Sequence, residues 1–175
     1  MDYDIDKIRK FAINKHNLPS DCQRYGNAPY AVHLEAVVNV FHQYKFYIDE
    51  KFHKDVETSC WFHDLIEDTN VNVRIIANMT NYTVADIVYR VSNERGMDRK
   101  ERNFKTYLKI RFHDLAIFVK LCDRIANTRN SKRFGHKMFK VYKGEYPVFR
   151  YALNERGLFK KMWEELDELY DYKEE

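Results

Sequence analysis

The chain has 175 residues, 45% hydrophobic and 33% charged, a balance that builds one globular domain and argues against disorder. A formal net charge of +3 gives no general case for nucleic acid or a membrane surface as partner, and no apolar run approaches the ~20 residues of a membrane span. Five glycines and three prolines supply few of the tight turns that a β-sandwich needs.

Asp4 is placed to cap a first helix in which Ile5, Ile8, Phe11 and Ala12 recur at helical spacing. The N-terminal MDYDIDKIRK has no apolar segment of the signal-peptide kind. HNLPSDCQRYGNAP then reads as a loop, punctuated by Pro19, Gly26 and Pro29. A second helix starts near Tyr30 and presents His33, Val37, Val40, Phe41 and Tyr44 on one face; a third runs from about Lys54 to Ile66. Thr83 and Asp86 resemble a capping box opening VADIVYRVS, and RKERNFKTYLKI is amphipathic.

DLAIFVKLCDRIANTRN, Asp114 to Asn130, reads as a buried helix interrupted by Lys120, Asp123 and Asn127. The basic run from Arg129 to Lys137 reads as a solvated loop or helix end. A last helix carries Leu158, Phe159, Met162, Trp163, Leu166, Leu169 and Tyr170. With no alternating strand and no internal repeat, the class is all-α: one domain, residues 1–175, of about seven or eight helices. Cys22, Cys60 and Cys122 are odd in number and widely spaced, as expected of reduced thiols in a cytoplasmic protein.

The chemistry concentrates in CWFHDLIEDT, Cys60 to Thr69. On a helix His63, Asp64, Glu67 and Asp68 stand at i, i+1, i+4 and i+5 and share one side, while Trp61, Phe62, Leu65 and Ile66 are apolar. Carboxyls crowded on an otherwise buried helix call for a cation or for water. His33 and Asp123 interrupt two further apolar helices in the same way. A lone buried His is usually a hydrogen-bonded core residue, and a lone Asp beside Arg usually a structural pair; three such interruptions on separate helices point to a shared site.

Two imidazoles and two carboxylates form a mixed donor set suited to a borderline divalent ion such as Mn or Fe, with Zn and Ni also compatible. Such an ion polarises a phosphoryl group and acidifies bound water. Glu67, one turn beyond His63, can orient or deprotonate that water, and Asp68 can hold Glu67 or the water in place. Asn127, i+4 from Asp123, faces the same cavity and can contact a sugar or hold Asp123.

In order along the chain, His33, His63-Asp64 and Asp123 resemble the HD-domain metal-dependent phosphohydrolases. RYGNAPYAVH, WFHDLIEDT and VKLCDRIANTRN are similar to the loop, metal-ligand and Asp-Arg-x-x-Asn segments of RelA/SpoT-type alarmone hydrolases, and the likeness covers residues 5–131. It implies an all-α stand-alone small hydrolase in which His33, His63, Asp64 and Asp123 hold Mn²⁺ and Glu67 and Asp68 activate water. It also implies that the substrate is a guanosine alarmone such as (p)ppGpp, which loses its 3′-pyrophosphate to give GDP or GTP. Arg24 matches the loop arginine near the nucleotide and Asn127 the ribose-side asparagine; Tyr142 is a further candidate at the pocket.

One position departs from the family. Tyr25 stands where a second basic residue follows the loop arginine, and a tyrosine can stack on a base but cannot neutralise phosphate. That favours a rival reading with the same metal chemistry: a nucleotidase, a nucleoside triphosphate hydrolase or a phosphatase of a phosphorylated nucleotide cofactor. A binding module without turnover would have no need of Glu67 and Asp68. A di-iron HD-type oxygenase would need more histidines at the site, and His42, His53, His113 and His136 fall outside any matching motif.

Overall fold

The computed structural model describes residues 3–17 and 23–173. Pro19 and Cys22 lie outside the described residues. In chain order the elements are α1 (Ile5–His16), β1 (Arg24–Tyr25), β2 (Ala28–Pro29), α2 (Ala31–Tyr44), α3 (His53–Phe62), α4 (Leu65–Asp68), α5 (Val73–Met79), α6 (Tyr82–Val91), α7 (Arg99–Ile110), α8 (Asp114–Arg133), α9 (Met138–Leu153) and α10 (Lys160–Tyr170), with short 3₁₀ turns at Lys45–Tyr47 and Glu50–Phe52. The class is all-α as expected. The short α4 and α5 bring the α-helical segments among the described residues above the expected seven or eight.

α8 is the axis of the bundle. Its 20 residues pack against α2, α3, α6, α7, α9 and α10, so nearly its whole circumference is buried. An apolar side chain such as Ile117, Phe118 or Leu121, fully removed from water, contributes about 1.5–3 kcal/mol, which is why polar residues on this helix need partners. α2 crosses it with Leu34, Val37, Val38, Val40 and Phe41 inward, and His33 sits in that buried stripe.

Local chemistry sets the helix ends, not always where the spacing suggests. Asp4 caps α1 through its carboxylate to the Asp6 N–H, as expected. At α6 the cap is Asn81, whose side chain accepts from the Val84 N–H, so the helix begins before Thr83; Asp86 instead pairs with Arg90 one turn on, at 2.7 Å. α10 begins at Lys160 because Phe159 takes a left-handed conformation, φ 60°. Within the expected loop, Arg24–Tyr25 and Ala28–Pro29 form a two-residue antiparallel ladder, which the turn at Gly26 (φ 61°) permits.

The expected third helix is two pieces. α3 ends at Phe62, and regular hydrogen bonding resumes only when Asp64 O accepts from Glu67 and Asp68 N–H. The break falls on His63 and Asp64. Cys60 and Cys122 are free and buried. No helix among the described residues is long and apolar enough to cross a membrane.

Candidate active site

His33 from α2, His63 and Asp64 from the α3–α4 junction, and Asp123 from α8 converge at the centre of the bundle. Nε2 of His33 lies 3.1 Å from Nε2 of His63. Asp64 Oδ2 is 3.5 Å from the first nitrogen and 2.8 Å from the second; Asp123 Oδ1 is 3.4 Å and 3.7 Å from them. Both imidazoles are buried, and each carboxylate keeps only a thin exposed edge.

Surrounding groups orient these donors. His63 Nδ1 is 2.8 Å from Cys60 O; a carbonyl only accepts, so that nitrogen carries hydrogen and Nε2 of the neutral ring is left with a free lone pair. The Tyr30 hydroxyl donates to Asp64 Oδ2. Asn127 donates from Nδ2 to Asp123 Oδ1 at 2.5 Å, and Lys120 Nζ lies 3.3 Å from Asp123 Oδ2.

The electrostatics are those of a cation site. Burial disfavours the His63 imidazolium, yet Asp64 and Asp123 outweigh it and hold its pKa up to about 10; His33 is shifted the same way by the same carboxylates. Asp64 and Asp123 are drawn below the usual carboxylate range despite burial, by the histidines and, for Asp123, by Lys120 first. Protons on the imidazoles thus stand where a metal ion's charge would. The two imidazole nitrogens and an Asp64 oxygen lie within 4.8 Å of one another, a mixed donor group that could hold a divalent ion, and Asp123 stands beside it.

Glu67 and Asp68 flank the centre in different directions. Both Glu67 oxygens accept from Asn93, from its backbone N–H at 2.6 Å and its Nδ2 at 2.7 Å. Partial desolvation and the nearby Asp64 charge raise the Glu67 pKa, against Lys120, although the residue keeps solvent exposure. Asp68 turns toward Gln23 and Tyr30; burial, Asp64 and Glu67 push it up to about 6. The break at His63–Asp64 re-aims both residues relative to His63 and Asp64, and their different partners, Asn93 for Glu67 and Gln23 and Tyr30 for Asp68, separate them from each other.

A cavity of about 260 Å³ opens over the cluster, its walls including Tyr25, Tyr30, Asn93, Arg99, Asn103, Lys120, Arg124, Asn127 and Tyr142. Tyr142 lies under two guanidinium groups, Arg124 at 4.8 Å and Arg99 at 5.8 Å from its ring centre. Both arginines also reach the Glu145 carboxylate, at 3.3 Å and 2.5 Å. Arg24 is not among the lining residues; its guanidinium is exposed and donates to Asn27 O. Arg99, Asn103 and Tyr107 carry no functional expectation from the sequence, and Arg124 enters it only within the Asp-Arg-x-x-Asn segment. Arg99 opens a helix that looks solvent-facing by itself, so no local signal marks it, whereas Lys120 stands out as a polar interruption of a buried helix.

No protein-family model matches the chain, and no curated protein matches it in sequence. Among solved structures it matches a protein described as a metazoan ortholog of SpoT that hydrolyzes ppGpp and plays a role in starvation responses. The TM-score is 0.74 over 98% of this chain and 97% of that one, at 20% identity. This chain has that hydrolase's fold. The all-α fold expected from the resemblance is thus the fold found.

Proposed function

We propose that the chain is a Mn²⁺-dependent nucleotide phosphohydrolase whose substrate is a (p)ppGpp-type alarmone, cleaved to GDP or GTP and pyrophosphate. The observation that carries this reading is the convergence of His33, His63, Asp64 and Asp123 donor atoms, within 3.7 Å of the His63 nitrogen, beneath a cation-bearing cavity. The shared fold of a ppGpp hydrolase supports the substrate class.

In this reading the four residues hold the ion, which when bound acidifies water and polarises the phosphoryl group. Glu67 accepts the water proton, its pKa raised by burial and by the Asp64 charge, and Asp68 bonds Tyr30, whose hydroxyl donates to Asp64. Lys120, Arg99 and Arg124 meet phosphate charge, and Tyr142 offers a face for the base. Tyr25 favours a second reading, the same hydrolysis on another phosphorylated nucleotide, because it contributes no cation to the wall.

The test is Mn²⁺-dependent product release from ppGpp, dNTPs, nucleoside monophosphates and NADPH, with Asp64→Ala as blank. Pyrophosphate and GDP from ppGpp is the expected result. Cleavage of another nucleotide instead moves the assignment to the second reading, and cleavage of none removes the hydrolase.

A further inference from the structure

Tyr25 bears on two of the four converging donor groups. Its ring stacks on the His33 imidazole, with centroids 4.8 Å apart and 29° between the planes. Its hydroxyl donates to Asn127 Oδ1 at 3.0 Å, and Asn127 Nδ2 donates in turn to Asp123 Oδ1 at 2.5 Å. The direction of this relay is fixed chemically: an ionised carboxylate only accepts, so the amide must turn its NH₂ to Asp123 and its oxygen to the phenol. The Asp123 oxygen at the end of the relay is the one 3.4 Å from His33 Nε2.

The backbone is built to hold this side chain in place. Tyr25 is the second residue of β1, and Gly26, at φ 61°, turns the chain back into β2 and then α2, which carries His33. The relay then joins this hairpin to α8 across 102 residues of sequence. With its hydroxyl engaged by Asn127 and one face on His33, Tyr25 has little left to offer a phosphate.

We propose that Tyr25 is a positioning residue of the metal centre: it sets the plane of His33 by stacking and the direction of Asp123 through Asn127. The proposal rests on the metal-site reading above and replaces the substrate contact expected of Tyr25.

Calorimetric titration of Mn²⁺ alone into the unaltered chain, Tyr25→Phe, Asn127→Ala and the double variant tests this. Tyr25→Phe keeps the ring and removes the hydroxyl's contacts with Asn127 and Asn130, and Asn127→Ala breaks the relay from α8. Each single variant should bind Mn²⁺ about 10- to 100-fold more weakly. The double should be no weaker than the poorer single, since both cut one path. Mn²⁺ affinity equal to that of the unaltered chain, with a raised nucleotide KM at saturating Mn²⁺, overturns the proposal and returns Tyr25 to substrate binding. An unaltered chain that binds no Mn²⁺ is a different failure, which overturns the metal centre itself.

Discussion

At His63, burial opposes the imidazolium while Asp64 and Asp123 favour it, and the carboxylates prevail up to about 10. Because the folded pKa lies above the ordinary 6.5, the stabilisation is complete below 6.5 and is lost as pH rises through about 10. A divalent ion takes over the proton's role. The metal-free protein should therefore lose melting temperature between those pH values, the Mn²⁺-loaded protein should not, and ion uptake at pH 7 should release protons to the buffer. Identical pH profiles with and without Mn²⁺ would remove His63 from the ion site. The neighbouring carboxylates separate by role: Asp64→Ala should abolish both Mn²⁺ binding and turnover. Glu67→Gln should bind the ion and lose about 10²–10⁴ of kcat, and undiminished turnover would exclude Glu67 as the base.

Among the elements, α6 shows how capping decides a boundary that periodicity leaves open. Asn81 accepts from the Val84 N–H at 2.9 Å and also donates to Asp55 at 2.9 Å, tying α6 to α3. Asn81→Ala should destabilise by about 1–2 kcal/mol in urea unfolding, while Thr83→Ala should stay within about 0.5 kcal/mol. The reverse order would restore the capping box read at Thr83. The α3–α4 break belongs to this scale too. An even helical spacing reads straight through CWFHDLIEDT, yet His63 and Asp64 leave the regular helix and Glu67 and Asp68 part, toward Asn93 and toward Gln23 and Tyr30. Their partners come from other segments, which no local pattern names.

Across the whole molecule, Glu145 ties α7, α8 and α9 together, taking Arg99 from the first and Arg124 from the second. Burial opposes its charge, but the two guanidinium groups outweigh it and hold its carboxyl below the ordinary 4.5. With a depressed folded pKa, this stabilisation is present above 4.5 and is lost as pH falls through the folded value. Glu145→Gln should thus cost about 1–3 kcal/mol at pH 7, by thermal or urea unfolding, and progressively less in acid below about 4.5. A penalty independent of pH would mean that the carboxylate's charge does not hold the helices.

What the sequence determined alone is what repeats locally: an all-α chain, its buried faces, and polar interruptions at His33, His63, Asp64 and Asp123 that stand out because unpartnered polar groups are costly inside apolar helices. The odd number and wide spacing of the cysteines mark Cys60 and Cys122 as packed thiols, and both are free and buried. Tertiary structure alone decided which exposed-looking residues face one another. Arg99 meets Glu145 across 46 residues, and Tyr25 meets Asn127 across 102. It also gives the Arg24 guanidinium a partner in its own hairpin, Asn27 O. Helical periodicity tells a side chain which face it shares with its neighbours in sequence; only the packing of whole helices decides which other face it meets.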